Sequence, residues 1–264
     1  MTPPSLSIAS RGSFGSLVNV EWLKFRRTAV VVIPLIAALG FAALALFAAR
    51  QATGDDATRL GGRWAFAVFL LAAVWSSMWS VFGTAVVSGM AADLENRMGT
   101  WRALRARPTS PASLWLAKFT FVALVTLLAH VLLFVATVLG GLVVLGAGDI
   151  PLVAFAGIAG LLWLVSLPLV ALHLWIGGWR GVGASVLVGV VGLMAGQLLP
   201  SVLRWRDVWM VLPWEWPTHA RGLVPSLLQG SVPSEATLLI GLAVVSSVLF
   251  LLAAATWFTR REDR

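Results

Sequence analysis

Six apolar runs are strung along this 264-residue chain, separated by short polar stretches. A hydrocarbon core about 30 Å thick needs roughly 20 residues of apolar helix to cross it. The runs therefore predict transmembrane helices at about 28–49, 64–90, 114–145, 152–175, 182–203 and 236–258, within one transmembrane domain over residues 1–264. The separators carry turn chemistry: Gly61 and Gly62, the Gly146–Pro151 stretch, and Gly177, Gly178 and Gly181. The third run exceeds what a bilayer requires. It predicts either a tilted helix or one that projects from the membrane at its start, with Lys118 snorkelling to the headgroups.

Ahead of the first span, Phe14–Arg27 reads as a helix lying at the membrane interface. Its apolar residues, among them Val20, Trp22 and Leu23, do not form a clean stripe. The reading therefore rests on Lys24, Arg26, Arg27 and the aromatic content. A cleaved signal peptide competes for the first span. The basic region before it is too long, however, and the apolar run exceeds the ~7–15 residues of a signal core.

Composition and charge sharpen this picture. The chain is 59% hydrophobic and only 11% charged, against about 25% charged in a soluble domain. Its net charge of +8 would suggest nucleic acid in a soluble protein. Here the basic residues sit at the ends of apolar runs, so nucleic acid is not expected as a partner. With six spans both termini share a side. Thirteen Lys and Arg fall on that side and six on the other, which predicts cytoplasmic termini in a bacterial plasma membrane. Membrane lipid is the expected surroundings, and several tryptophans near span ends, such as Trp64 and Trp115, are expected at the headgroups.

The chemistry that is missing narrows the function. Cysteine is absent, which removes thiolate metal sites and thiol nucleophiles. Neither lysine follows a glycine in a phosphate-loop pattern, and no HExxH or GxSxG occurs. Neither a catalytic site, a metal nor a bound cofactor is expected. His130 and His173 read as buried imidazoles bonded to neighbouring helices, with a metal or haem as the alternative. Charge within the spans is almost nil, unlike most ion-coupled carriers. Trp75 and Trp79 stand one helical turn apart and share a face with Phe82. That face could line a pathway for an amphipathic substrate, as could Gln197, or it could touch lipid.

The stretch 93–118, between the second and third runs, holds most of the remaining chemistry. Leu94, Met98, Trp101 and Leu104 would gather on one face of a short helix, with Glu95 and Arg102 displaced from it. Pro108 should end that helix, and Ser110-Pro111 reads as an N-cap followed by proline at the first helical position. The segment is either an ordinary positive-inside loop or a surface for a partner.

Its motif, E-x3-GTWR-x-L-x-A-x-P-x-S from Glu95 to Ser110, together with EWLKFRRT before the first span, resembles the permease subunits of ATP-binding-cassette type-2 exporters, particularly bacitracin-resistance and lantibiotic-immunity permeases. The resemblance implies an all-α membrane protein of six transmembrane helices, with an N-terminal interfacial helix and a short cytoplasmic coupling helix. It also implies outer helices that dip back at 208–217, before the last span. Glu95, Gly99, Thr100, Trp101, Arg102, Leu104 and Pro108 would take the positions that couple to the ATPase. The implied partners are a cytoplasmic ATPase dimer, which would hold the ATP and magnesium, and a second permease subunit, identical or related. The implied role is export of an amphipathic or hydrophobic compound: an antibiotic peptide, a drug or a lipid-like molecule. The alternatives are an intramembrane enzyme acting on lipid or polypeptide, and a scaffold or sensor without transport.

Overall fold

The computed structural model describes residues 13–52, 59–99, 109–203 and 207–260. Every regular element among them is helical. Helix α1 (Phe14–Phe25) is followed by α2 (Ala29–Gln51), α3 (Arg63–Val74), a π-helical segment (Trp75–Gly83) and α4 (Thr84–Met98). Then come α5 (Pro111–Val144) and α6 (Leu152–Leu203). A 3-10 turn (Val208–Val211), α7 (Trp216–Gly222) and α8 (Val224–Leu228) lead to α9 (Ser234–Arg260). Among the described residues, five helical stretches are long and apolar enough to cross a membrane: Ala29–Gln51, Arg63–Met98, Pro111–Val144, Leu152–Leu199 and Ser234–Arg260.

One of the five is a helical hairpin. Gly181, at φ 85° and ψ 176°, interrupts α6. This backbone region is essentially restricted to glycine. His173 and Ser185, twelve residues apart, are hydrogen-bonded at 3.1 Å, whereas a straight helix would separate them by about 18 Å. The chain thus doubles back at Gly181 into two arms, 152–180 and 182–203, which correspond to the fourth and fifth predicted spans. α4 fills the hairpin. A side chain at Gly177 would lie 2.8 Å from the Gly89 Cα, and one at Gly189 would lie 2.6 Å from the Ala85 Cβ. Small residues here allow backbones to touch, and dispersion then holds helices together where lipid removes the hydrophobic drive.

The predicted second span is also rebuilt. It forms one continuous helix that runs from Arg63 to Met98 through the π segment. Residues Asp93–Met98 therefore extend the span, where a separate stub helix was expected. Gly99, left-handed at φ 63°, ends α4, and its N–H bonds to the Asn96 and Glu95 carbonyls.

The π segment corrects a shared face. A π-helix takes about 4.4 residues per turn instead of 3.6. Trp75 and Trp79 stay together, with ring centroids 5.4 Å apart, and both are buried. Seven residues on from Trp75, Phe82 has turned to the opposite side and is 42% exposed.

Trp75 sits at the centre of the core. Its ring meets Phe41 edge-on at 5.8 Å, and its Nε1–H donates to His130 Nε2 at 2.9 Å. A buried indole N–H requires such a partner. Around the core, α9 leaves Val244, Val248, Leu249 and Leu252 exposed, and α2 leaves Ile36 and Phe47 exposed. Such a broad apolar surface suits a lipid solvent. Trp64 and Trp115, expected in a headgroup belt, turn inward. Trp64 lies over Gly141 and Trp115 over Gly178, each where a Cβ would collide.

Helices α7 and α8 pack between α6 and the helix that contains the π segment. The Trp214 ring occupies the space a side chain at Gly192 would take. Trp216 is buried, and its Nε1–H donates to the Trp209 carbonyl at 2.8 Å. The connection before the last span is thus a set of short helices seated on the bundle.

A buried charge cluster at the candidate coupling elbow

Helix α1 starts at Ser13, whose hydroxyl accepts from the Ser16 N–H at 3.3 Å. Glu21 and Phe25, four residues apart, form its buried side. Phe25 stacks on Phe121 of α5 at 5.3 Å and 21°. Helix α5 begins as expected, with Ser110 as N-cap accepting from the Ser113 N–H at 3.1 Å and Pro111 as the first helical residue.

Two turns into α5, Lys118 is buried and does not snorkel. Its ammonium donates to Glu21 Oε2 at 2.6 Å, to Glu95 Oε1 at 2.9 Å and to the Ala91 carbonyl at 3.1 Å. Those three bonds use all its donors. The Phe25 ring centroid lies 5.2 Å from the same nitrogen, a cation–π contact. Lys24 completes the group, donating to Glu21 Oε1 at 2.6 Å and Glu95 Oε1 at 3.1 Å.

Two carboxylates and two ammoniums thus form a formally neutral cluster from α1, α4 and α5, and it uses both lysines of the chain. Burial alone would push Glu21 up, but Lys118 and Lys24 outweigh it and hold the carboxyl below its ordinary value. Burial likewise opposes the charge on Lys24, yet Glu21 and Glu95 raise it. Opposite charges in contact offset part of the cost of taking each of them out of water.

A second set of contacts ties the end of α4 to the α6 hairpin. The Asn96 amide donates to the carbonyls of Gly177 and Gly178 at 3.2 and 3.3 Å. Asp93 pairs with Arg97 at 2.6 Å and faces Gly181, where a Cβ would lie 3.1 Å from its Oδ1. The α1 helix, the end of the second span, the start of the third and the α6 bend are therefore bonded together at one end of the bundle.

Glu95, expected to face a partner, turns inward and is 2% exposed. Gly99 caps α4. Thr100, Trp101, Arg102, Leu104 and Pro108 lie outside the described residues. Of the pathway candidates, Trp75 and Trp79 are buried, whereas Phe82 and Gln197 are exposed. Beside Gln197, the Glu215 carboxylate rests on Gly196, with Oε2 2.9 Å from the position of a Cβ there. Burial raises Glu215 to about 7, against a lowering by Arg221.

Glu21 entered the sequence reading only within EWLKFRRT, without a role, and Asn96 and Glu215 were not singled out. Glu21 had a visible signal, since it is a lone carboxylate beside three basic residues. Asn96 and Glu215 had none, because the Gly177 and Gly178 carbonyls and Gly196, which they meet across the bundle, are distant in sequence.

The enzyme alternative needs a nucleophile and a base, and His173 meets Ser185. The Ser185 hydroxyl, however, donates its one proton to the Ala85 carbonyl at 2.7 Å. His173 Nδ1–H must then be the donor to Ser185. Both residues are fully buried. A serine whose proton points away from the base, in a closed interior, bridges helices instead of attacking a substrate. Among the described residues, no group of three or more His, Asp or Glu could hold a metal ion.

No curated protein matches the chain. The profile of the ABC-2 family transporter proteins matches residues 17–196, from α1 into the second arm of α6, and so includes every residue of the charge cluster. By this match over well more than half its length, the chain belongs to the ABC-2 transporter family, as a multi-pass membrane permease whose ATPase is supplied by a partner.

Proposed function

We propose that this permease is half of an ATP-driven exporter in a bacterial cell membrane, with both termini cytoplasmic. Two permease subunits, identical or related, enclose the pathway. A cytoplasmic ATPase dimer, carrying the ATP and magnesium, engages each subunit at Thr100–Pro108. The cargo is amphipathic and partitions into the membrane, an antibiotic peptide, drug or lipid-like compound. That choice follows from apolar runs that are rich in Trp, Phe and Gly and carry almost no charge away from the ion cluster.

The observation that carries this reading is the ion cluster Glu21–Lys24–Glu95–Lys118. The segment proposed to meet the ATPase is flanked by Gly99 and Ser110, at the ends of two helices pinned to each other and to α1. A push delivered there moves α1, α4 and α5 as one body, and through Asn96 it reaches the α6 hairpin. A permease converts a bias between two states into movement, and the bias must come from the nucleotide cycle of its partner.

Two variants separate docking from transmission. Trp101→Ala with Leu104→Ala is expected to abolish co-purification with the ATPase. Glu95→Gln is expected to keep co-purification and to lose most of the cargo-stimulated ATP hydrolysis. Unchanged association and turnover in the first variant would count decisively against the elbow as the docking element.

A further inference from the structure

A cavity of about 800 Å³ opens at the end of the bundle opposite α1. It falls within the ~300–1,000 Å³ of ordinary small-molecule sites. The connection before α3, that between α5 and α6, and helix α8 all contribute to its walls. Its rim is built. Trp64 donates from Nε1 to the Gly146 carbonyl at 3.2 Å and packs near Gly148. Gly61, Gly62 and Gly146 hold positive φ angles of 89°, 123° and 83° at the turns beside it.

Two opposite charges face this space. Arg59 comes from one connection and Asp149 from another, and both are exposed. Among the described residues neither forms an ion pair. Leu60, Leu152 and Leu228 supply apolar wall, and Gln229 adds an amide. Leu152 is the first residue of a spanning helix, and Ala65, a further wall residue, lies three positions into another. The cavity therefore sits at the level where spans end and headgroups begin.

The geometry points to a binding site for a zwitterionic phospholipid, with phosphate against Arg59, ammonium against Asp149 and the start of the acyl chains along the leucines. An anionic lipid would pair its phosphate with Arg59 but leave Asp149 facing the headgroup with no cation. A cationic peptide would meet Arg59 in the same unfavourable way. An uncharged apolar compound would desolvate both charges without pairing either. A headgroup carrying both signs next to an apolar body satisfies all three features. The inference rests on membrane embedding and not on export, so its test needs neither ATPase nor cargo flux.

The full-length chain, purified in detergent, is titrated with short-chain phosphatidylcholine and separately with short-chain phosphatidylglycerol, with bound lipid counted by native mass spectrometry. Phosphatidylcholine should bind about three- to five-fold more tightly, the factor corresponding to one solvent-exposed ion pair. Arg59→Gln should weaken both lipids. Asp149→Asn should weaken phosphatidylcholine about three- to five-fold and leave phosphatidylglycerol unchanged or tighter. Leu228→Trp, which puts a larger ring on the apolar wall, should weaken both lipids. Equal affinity for the two lipids would overturn the proposal. So would unaltered phosphatidylcholine binding in both charge variants, or saturable binding of a zwitterionic peptide with none of lipid. Arg59 and Asp149 are exposed, so these exchanges do not threaten folding.

Discussion

At the residue scale, Lys118 carries the greatest consequence. It is one cation shared between two buried carboxylates, in a position where water cannot replace it. Removing one partner of a buried pair costs about 3–5 kcal/mol, because the remaining charge is stranded. Lys118→Met is therefore expected to lower the thermal unfolding midpoint of the detergent-purified protein sharply. The triple exchange Lys118→Met, Glu95→Gln, Glu21→Gln should recover much of the loss, because it removes the stranded charges as well. Lys24 keeps more contact with solvent, so Lys24→Ala should cost no more than about 1 kcal/mol. A destabilisation by Lys24→Ala equal to that by Lys118→Met would contradict this ordering. The sequence marked Lys118 as unusual, a charge inside an apolar run. It could not reveal that the charge turns inward, because the acceptors on α1 and α4 are 97 and 23 residues away.

At the element scale, the apolar runs anticipated the long apolar helices among the described residues, and Ser110-Pro111 anticipated the start of α5 to the residue. Continuity between elements was less legible. The charged residues from Asp93 onward looked like the end of a span, yet α4 runs on to Gly99 because its carboxylates find internal partners. The π segment was invisible for a related reason. Its apolar residues fit a 3.6-residue period as well as a wider one, and the Trp79 ring lying on Gly83 becomes apparent only in three dimensions. Gly181 was legible as part of a turn, but the degree of doubling back was not. Gly181→Ala forces a side chain into a backbone region other residues avoid, at a cost of about 1–3 kcal/mol. Its Cβ would also approach the Asp93 carboxylate. Circular dichroism is expected to show helix content retained and the melting midpoint lowered. Cysteines introduced near 173 and 185 should also cross-link less efficiently.

At the scale of the whole molecule, the two ends of the bundle are built differently. One end is bonded through ion pairs and amide–carbonyl contacts. The opposite end is seated through ring-on-glycine packing and one carboxylate of raised pKa. Glu215 in the folded state titrates at about 7, above its ordinary value of 4.5. A raised folded pKa adds stability that is complete below the unfolded value and is lost as pH rises through the folded one. The seating of α7 and α8 should therefore be firmer at pH 5 than at pH 8. Hydrogen exchange across Trp216–Leu228 should be slower at the lower pH after correction for intrinsic rates, and Glu215→Gln should remove the difference. An unchanged pH response in that variant would assign the effect to another group. His219, stacked on Trp209 at 3.8 Å, is the nearest alternative, and burial lowers its pKa despite Glu235.

The bend at Gly181 has a consequence for which sequence changes the chain can accept. Each residue added to a helix rotates the rest of that helix by about 100°. One insertion between Gly178 and Gly181 would swing Ser185 and Gly189 away from α4 and turn bulkier side chains toward it. The length of this turn is thus locked to the register of two helices at once. Lineages of this chain should therefore hold the length of the bend constant.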